Sequence, residues 1–271
     1  MDENYFNEAK NLSESEKLLL AAQNSRLVPE HKANMLEIEA KKHWDLFYKR
    51  NEDRFFKDRH WTTREFTELL DKDFALKNVI IMEVGCGVGN FIFPLIEEGL
   101  DVFFIACDIS PRAIDILKKN KYFDEKKINA FQIDITTEDI FNRLELNSVD
   151  IATLIFVLSA IHPDKFELAV KNIYKLLKPG GLVLFRDYGL YDMAQIRFKS
   201  GHKIAENFYM RQDGTRSYYF SIEHASRIFT NQGFKLMTCT YVHRRTVNKK
   251  ENIDVPRIFV QAKFSKPGPD T

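Results

Sequence analysis

The chain has 271 residues, of which 44% are hydrophobic and 29% charged, and its net charge is +1. These values are typical of a soluble globular protein with one large domain, or one domain and an extension. No apolar run reaches the ~18 residues that a membrane span needs, and the acidic start argues against a signal or transit peptide. Three cysteines cannot form a disulfide framework, so we expect a reducing, cytoplasmic location, with nuclear residence left open. The scattered histidines and the lack of paired-ligand motifs predict no metal site.

The small net charge hides an uneven distribution along the chain. Residues 41–64 hold eight Lys/Arg against four Asp/Glu, residues 65–185 thirteen against nineteen, and residues 186–271 fifteen against eight. Two basic sections therefore flank an acidic one, which is typical of proteins that bind a polyanion such as nucleic acid. Aromatic rings interleaved with the basic residues could stack on bases, although such rings more often belong to a core. These rings are Phe55, Phe56, Trp61, Tyr191, Phe208, Tyr209, Tyr218 and Tyr219.

The first seventy-odd residues have a helical pattern, clearest between Asn34 and Tyr48. From Lys77 onward, apolar runs typical of strands alternate with helical segments, which predicts an α/β fold with a doubly wound, mostly parallel sheet. The predicted strands are Val79–Val84, Val102–Cys107, Ile128–Asp134, Val149–Leu158 and Leu182–Phe185, with a closing pair at Phe234–Tyr241 and Pro256–Lys263. The predicted helices between them are Asn90–Glu98, Pro111–Lys119 and Asp164–Leu177.

A glycine-rich loop follows the first of these strands, with glycine at positions 85, 87 and 89. Such a loop lets the backbone turn tightly and approach a ligand closely. The spacing differs from the Gly-x-Gly-x-x-Gly of dinucleotide binders, and Glu83, two residues before Gly85, would repel a pyrophosphate and attract a cation. The loop therefore favours S-adenosylmethionine, which carries a sulfonium and an amine and no phosphate, over a nicotinamide cofactor.

Acidic residues also stand at the ends of the next two strands. Asp108 is placed to accept a hydrogen bond from a ribose hydroxyl, and Asp134 one from the adenine amine, with Ile135 against the ring. The strand that runs into Ile155 would form the floor of this site. Glycine loop and acids together predict an S-adenosylmethionine site; the alternative is a structural turn with capping acids.

Several motifs between residues 35 and 265 resemble those of a known enzyme family. They are Phe56–Trp61, Gly85–Asn90, Leu154–Ala160, Lys178–Gly181, Phe185–Gly189, Asn207–Tyr209 and Asp213–Arg216. They resemble the tRNA 3-methylcytidine methyltransferases, a family of class I S-adenosylmethionine-dependent methyltransferases. Two shorter stretches, Ile161–Lys165 and Thr246–Glu251, resemble the methyltransferase-like 6 branch of that family.

The resemblance implies a seven-stranded, Rossmann-like sheet with S-adenosylmethionine as the methyl donor and S-adenosylhomocysteine as the product. It implies the first cytidine of the anticodon loop (position 32) as the target and, for this branch, serine tRNAs as substrates and seryl-tRNA synthetase as a partner. It also implies which residues bind the cofactor: Trp44 and Tyr48 close over it, and Gly85, Asp108, Asp134, Ile135 and Ile155 line its site.

The domain organisation follows from the change of pattern together with this resemblance. We expect an N-terminal helical extension over residues 1–75, serving as cofactor lid and tRNA contact. A catalytic domain spans residues 76–265, with a basic, aromatic-rich insertion at about 190–220, and residues 266–271 form a flexible tail.

The expected reaction needs no general base, because the cytosine ring nitrogen already has a free lone pair. The methylated base is cationic until it loses an amine proton, so a carboxylate beside it would stabilise the developing charge. Asp187 is the candidate, and its alternative role is an ion pair with Arg186. Arg59 and Tyr188 complete the candidate catalytic group.

Loop bases are only partly stacked, so aromatic and basic side chains can hold an extruded base at small cost. The candidate substrate contacts are His60, Arg186, Tyr191, Arg211 and Arg216. Two other functions remain open: methylation of a protein or small molecule, which should depend little on salt, and a non-catalytic scaffold that binds the cofactor.

Overall fold

The computed structural model describes residues 4–70, 78–248 and 253–268. The expected change of pattern at Lys77, the motif residues Lys249–Glu251 and the end of the tail (269–271) lie outside these described residues. Within them, no helix combines the length and apolar character needed to cross a membrane.

The N-terminal part is mostly helical, as predicted, but it begins with a short strand. Strand β1 (Asn4–Phe6) is followed by helices α1 (Glu14–Gln23), α2 (Glu30–Ile38), α3 (Ala40–Asn51) and α4 (Thr62–Glu65) and a 3-10 turn at Thr67–Leu70. Ser13 caps α1 through a reciprocal bond with Glu16. The predicted continuous helix from Asn34 to Tyr48 is interrupted, because the backbone leaves the helical region at Glu39.

Strands and helices alternate in the α/β part. Its elements are β2 (Ile80–Val84), α5 (Ile92–Glu97), β3 (Phe103–Asp108), α6 (Pro111–Leu117), β4 (Ile128–Gln132), β5 (Val149–Ile155), α7 (Phe166–Leu176) and β6 (Leu177–Tyr188). Short 3-10 turns lie at Glu138–Asn142, Leu158–Ala160 and Pro163–Lys165. Strand β6 begins five residues earlier than predicted, before Lys178–Gly181, because Gly180 (φ 80°) bends the chain without ending the strand pairing.

The remaining elements follow β6. They are α8 (Met193–Ile196), β7 (Lys203–Ala205), β8 (Phe208–Met210), β9 (Arg216–Tyr218), α9 (Ile222–Thr230), β10 (Lys235–Asn248) and β11 (Ile253–Ser265).

The described strands form two sheets. The large sheet has the order β1-β10-β11-β6-β5-β2-β3-β4, and β7, β8 and β9 form a separate small antiparallel sheet. Strand β2 runs parallel to β3 and β5, and β3 runs parallel to β4. The prediction of a doubly wound, mostly parallel sheet is confirmed. Eight strands replace the predicted seven, because β1 pairs with Tyr241–His243 of β10.

The chain divides into two compact units, each made of several separate residue ranges. Unit 1 contains residues 1–40, 156–167 and 185–264, and unit 2 contains residues 41–155, 168–184 and 265–271. The proposed boundaries at 75 and 265 therefore stay a prediction.

The interior of each unit shows why these segments form regular structure. In unit 2, β2, β3 and β5 are almost completely buried, which explains why they read as continuous apolar runs. In unit 1, four of the five rings predicted to interleave with basic residues are core side chains, since Phe208, Tyr209, Tyr218 and Tyr219 are all buried. The alternative of a core role is thus the correct one for these four rings.

Candidate active site

The glycine loop of unit 2 has the backbone geometry that its sequence predicted. Gly85, Gly87 and Gly89 have φ values of 63°, 54° and 92°, in the left-handed region that glycine adopts without strain. The Gly87 amide donates to Asp108 Oδ2 at 2.8 Å, which ties the loop to the end of β3. A loop held in this way presents its backbone to a ligand.

Asp108 organises the start of α6 as well as the glycine loop. Its Oδ1 accepts from the Ser110 amide at 2.9 Å, and Ser110 caps α6 by accepting from Ala113. Burial raises the pKa of Asp108 to about 6, although the amides of Ser110 and Gly87 act in the opposite direction. Each carboxylate oxygen retains a second lone pair for a ribose hydroxyl.

Helix α3 packs on the glycine loop, where the resemblance placed a lid. Phe47, Tyr48, Val88 and Ala113 form one buried cluster, against which Trp44 packs. A Cβ on Gly87 would lie 2.7 Å from the Tyr48 hydroxyl oxygen, so the phenol is in direct contact with the loop. Burial, and then the charge of Asp108, raise the pKa of Tyr48, which keeps the phenol protonated.

Glu83 is an acid buried at the carboxyl end of β2. Only 1% of its surface is exposed, and its Oε2 has no hydrogen-bond partner among the described residues. Its Oε1 lies 3.5 Å from Arg59 Nη1. Burial raises the pKa of Glu83 to about 8, with Arg59 acting against that rise and Asp108 adding to it. A cationic hydrogen-bond donor next to Glu83 would favour the ionised form of this acid, which could then pair with it.

The remaining predicted cofactor residues lie at the ends of β4 and β5. Asp134 is half-buried, and its Oδ1 accepts from the Thr136 amide at 2.9 Å and from the Thr136 hydroxyl at 2.8 Å. Ile135 is buried, and its carbonyl accepts from Asn172 at 2.9 Å. Ile155 is buried as the last residue of β5.

The residues of unit 2 fit S-adenosylmethionine. The orphaned, buried Oε2 of Glu83 suits an ammonium donor, and Asp108 can accept from a ribose hydroxyl. The carboxylates of Asp108 and Asp134, and that of Glu83 once it ionises, would repel a diphosphate. No group of His, Cys, Asp and Glu that could hold a metal ion occurs among the residues described.

The predicted catalytic carboxylate belongs to unit 1. Asp187 is completely buried, with Oδ2 accepting from the Ser159 amide and Oδ1 from the Tyr188 amide, both at 2.9 Å. The Ser159 hydroxyl also lies close enough to lower the pKa of this carboxyl. Burial outweighs these bonds and the field of Arg211, so the pKa of Asp187 is raised to about 6. The carboxylate is therefore mostly ionised at neutral pH.

Arg186, whose alternative role is an ion pair with Asp187, contacts Gln261 and Phe259. Its Nη1 donates to Gln261 at 2.9 Å, and its guanidinium lies 5.0 Å from the centre of the Phe259 ring. Only 1% of Arg186 is exposed. Arg186 is a predicted substrate contact, yet its side chain is buried. Successive side chains of β6 point to opposite faces of the sheet, so Arg186 lies on the face opposite to Asp187.

Tyr188 is surrounded by rings and cations at the end of β6. The Phe156 ring lies 5.1 Å from it, and the guanidinium groups of Arg211 and Arg257 lie 5.4 and 5.7 Å from its centre. Phe156 has φ 61°, an unusual value for a bulky residue and one that clusters at functional sites. This residue follows β5, which ends at Ile155, three residues before the predicted end at Leu158.

The other predicted substrate residues differ in accessibility. His60 is exposed and lies 3.5 Å from Glu98. Tyr191 is half-buried with φ 64°, and its amide donates to Gln195 at 2.6 Å. Arg216 is 4% exposed and bound to Glu37, which departs from the expected contact with RNA.

Sequence reasoning missed several residues that shape the site. Ser159 lies within the motif Leu154–Ala160, but nothing in that motif indicates that its amide donates to Asp187. Asp192 is fully buried and binds Arg257 Nε at 2.9 Å and the Ile258 amide at 2.7 Å. Asp45 accepts from the Ser110 hydroxyl at 2.9 Å. These pairs join distant segments, so local spacing carries no signal for them.

Comparison with known proteins agrees with this geometry. A family model described as a methyltransferase domain matches residues 82–183. A solved SAM-dependent methyltransferase from Methanosarcina mazei is similar in fold, with a TM-score of 0.53 and 16% identity over 72% of this chain and 95% of that chain.

Two relatives are much more similar in sequence. The tRNA N(3)-cytidine methyltransferase METTL6 of Homo sapiens is 53% identical over 255 residues, which is 94% of this chain and 89% of the human protein. The tRNA N(3)-methylcytidine methyltransferase Mettl2 of Drosophila melanogaster is 46% identical over 238 residues, which is 85% of this chain and 73% of the fly protein.

Proposed function

This chain belongs to the tRNA N(3)-cytidine methyltransferases, which are S-adenosylmethionine-dependent enzymes, and on that premise we propose that it methylates serine tRNAs at position 32, the first residue of the anticodon loop. The family rests on the 53% identity over 94% of the chain. The choice of serine tRNAs is supported by the branch motif Ile161–Lys165, and position 32 by the family resemblance as a whole.

The bound cofactor supplies the methyl group, and the protein must present the cytosine and stabilise charge on it. The N3 lone pair attacks without prior deprotonation, so the base becomes cationic during transfer. We assign Asp187 to the exocyclic amine, from which it accepts a hydrogen bond that strengthens as positive charge develops. Uracil lacks this amine, so the same contact would select cytosine.

The buried setting of Asp187 suits this role. In a site that excludes water, a carboxylate interacts more strongly with developing charge than it would in solvent. Its pKa of about 6 leaves it ionised at pH 7, while the Ser159 and Tyr188 amides hold both oxygens in a fixed direction. It therefore needs no rearrangement when charge appears.

Arg211 is the best-placed candidate of unit 1 for contact with the RNA. It is half-buried beside Tyr188, whereas Arg186 and Arg216 are engaged in the interior. His60, Tyr191 and Arg59 stay candidates for substrate contact. We further propose seryl-tRNA synthetase as the partner that presents the tRNA, and the cytoplasm as the main location.

The test is mass spectrometry of nucleosides from tRNA incubated with the protein and S-adenosylmethionine. The proposal expects 3-methylcytidine in serine tRNA, at position 32 when defined nuclease fragments are sequenced, and more of it when seryl-tRNA synthetase is added. Equal methylation of other tRNAs would remove the serine specificity, and an unchanged rate with synthetase would remove the partner. Inactivity on every tRNA would favour a protein substrate, a small-molecule substrate or a scaffold.

Location is tested separately, by fractionating cells that contain the tagged protein. We expect most of it in the cytoplasmic fraction. The free thiols of Cys86, Cys107 and Cys239 are consistent with a reducing compartment, and a mainly nuclear signal would contradict this part of the proposal.

A further inference from the structure

An ion pair in unit 1 between the buried Arg216 and the half-buried Glu37 joins helix α2 to the small sheet. The Arg216 guanidinium donates to Glu37 through Nη1 and lies 5.5 Å from the centre of the Phe208 ring. Glu37 also pairs with Lys165 at 2.5 Å. Although burial alone would raise it, the bonds from Lys165 and Arg216 hold the pKa of Glu37 below its usual value. Both members of the pair are therefore charged at neutral pH.

The same arginine also binds the turn that carries Ser159. Arg216 Nη2 donates to the Ala160 carbonyl at 3.3 Å. The neighbouring residue, Ser159, donates its amide to Asp187 Oδ2 at 2.9 Å. A continuous series of contacts thus runs from Glu37 through Arg216 and the turn Leu158–Ala160 to Asp187.

Three of the four side chains in this series are buried, and Glu37 is half-buried. Arg216, Ser159 and Asp187 are 4%, 2% and 0% exposed, so water cannot replace a lost contact without rearrangement. Removing Glu37 would leave the buried charge of Arg216 without this partner, which is unfavourable. For the same reason Arg216 is poorly suited to bind a phosphate, because a phosphate would have to displace Glu37 and approach its charge.

We propose that Arg216 and Glu37 are positioning residues for methyl transfer: together they clamp the turn Leu158–Ala160 so that Ser159 holds the Asp187 carboxylate in its reactive orientation. This inference rests on the proposed role of Asp187. It assigns Arg216 to the orientation of a catalytic group instead of to the RNA backbone.

The main test is Glu37→Gln in the full-length chain, because glutamine keeps the volume and one acceptor but removes the charge that fixes Arg216. We expect kcat for tRNA methylation to fall about 2- to 30-fold, the range in which residues outside a site alter coupling, with KM for tRNA little changed. Arg216→Lys, which keeps the charge but loses the forked geometry, should lower kcat in the same way. The matched control is Asp101→Asn, which removes the carboxylate of an exposed pair with Lys127 and should leave kcat unchanged.

Two further measurements separate positioning from RNA contact and from general loss of structure. A positioning role predicts that the low-pH limb of kcat moves to higher pH in Glu37→Gln, because a displaced Ser159 no longer favours the ionised form of Asp187. The positive charge of Arg211 also lowers the pKa of Asp187, and this residue is unchanged in the variant. An RNA contact predicts instead that Arg216→Lys, or Arg216→Gln if it folds, alters KM and the salt dependence of tRNA binding.

The outcomes are distinct from those that test the proposed function. If Asp187→Asn retains full activity, the proposed role of Asp187 fails and the clamp has no catalytic consequence. If Asp187→Asn is inactive but Glu37→Gln keeps the wild-type kcat and pH profile, the clamp is overturned while the function stands. A change in KM and salt dependence without a change in the pH profile would equally overturn it.

Discussion

Arg59 Nη1 lies 3.5 Å from Glu83 Oε1, and Glu83 is almost completely buried at the end of β2. This distance is long for a charged hydrogen bond, and the second oxygen of the carboxylate has no partner among the described residues. The pKa of Glu83 is accordingly raised to about 8. The free protein therefore holds a protonated acid where the cofactor's amine is expected.

This relationship predicts that cofactor binding releases a proton. Near pH 7 the amine of S-adenosylmethionine is charged, so its binding favours the ionised form of Glu83 and lowers the pKa of that acid. In the free protein Glu83 is mostly protonated below about pH 8. We therefore expect the wild type to release up to about one proton per bound cofactor at pH 7. Calorimetry in two buffers with different heats of ionisation measures this number.

The control for proton release is Glu83→Gln, which keeps the shape of the side chain but cannot titrate. It should bind the cofactor more weakly and release almost no proton. It should also melt at a higher temperature than the wild type at pH 7 to 8 without cofactor. An acid whose pKa is raised on folding lowers stability as pH rises between its unfolded value of 4.5 and about 8. Equal proton release by both proteins would contradict the assignment of Glu83.

A second prediction concerns the contact between Gly87 and Tyr48. Gly87→Ala would place a Cβ 2.7 Å from the Tyr48 hydroxyl oxygen, at a residue with φ 54°. The backbone strain costs about 1–2 kcal/mol, and the clash displaces Tyr48 in addition. We expect a lower melting temperature and weaker binding of S-adenosylhomocysteine, measured by thermal scanning and calorimetry.

Two variants separate strain from clash. Gly99→Ala has a comparable φ of 88° but no atom within 4 Å of its Cβ, so it should lose stability without losing cofactor affinity. The double variant Gly87→Ala/Tyr48→Phe removes the clashing oxygen and should recover part of the affinity. No recovery would mean that Tyr48 is not what a side chain at position 87 meets.

An element of the fold can be predicted from the sequence when its own residues determine it, and not when a distant segment does. Strand β3 was predicted at Val102–Cys107 and found at Phe103–Asp108, because a strand covered on both faces must be apolar throughout. Strand β1 could not be predicted, since three residues carry no periodicity and its pairing partner, Tyr241–His243, lies far away in the sequence.

The features of the candidate site also separate into those that the local sequence predicts and those that depend on distant contacts. The glycine loop and Asp108 were recognisable because backbone freedom and strand-end acids leave a pattern in neighbouring residues. The bond from Ser159 to Asp187 joins residues 28 positions apart, and no spacing rule connects them. The positive φ of Phe156 is likewise imposed by the surrounding structure and not by its own side chain.

A third prediction concerns Asp187 and pH. Because the proposed role requires the ionised carboxylate, kcat should fall as pH decreases through about 6, the pKa of Asp187, and level off above it. Asp187→Asn should lower kcat by about 10²- to 10³-fold and abolish this dependence. Asp108 also has a pKa of about 6, so kcat must be measured at saturating cofactor to exclude an effect on cofactor binding.

The control for Asp187 is cofactor binding. Cofactor affinity of Asp187→Asn should equal that of the wild type, because Asp187 is assigned to the base. If asparagine at position 187 leaves kcat unchanged, or if the low-pH limb persists in that variant, the titrating group is another residue.

The last prediction tests Arg211 as a contact to the RNA. Arg211 is half-buried beside the Tyr188 ring, at 5.4 Å from its centre, and its positive charge lowers the pKa of Asp187. If it binds a phosphate, Arg211→Gln should reduce the slope of log affinity against log salt by about 0.7 to 0.9. Lys126→Gln, an exposed cation in the acidic section of the chain, is the matched control and should leave the slope unchanged. An unchanged slope for Arg211→Gln with a reduced kcat would instead assign Arg211 to the base or to Asp187, because a lost phosphate contact must release fewer counterions whatever else it changes.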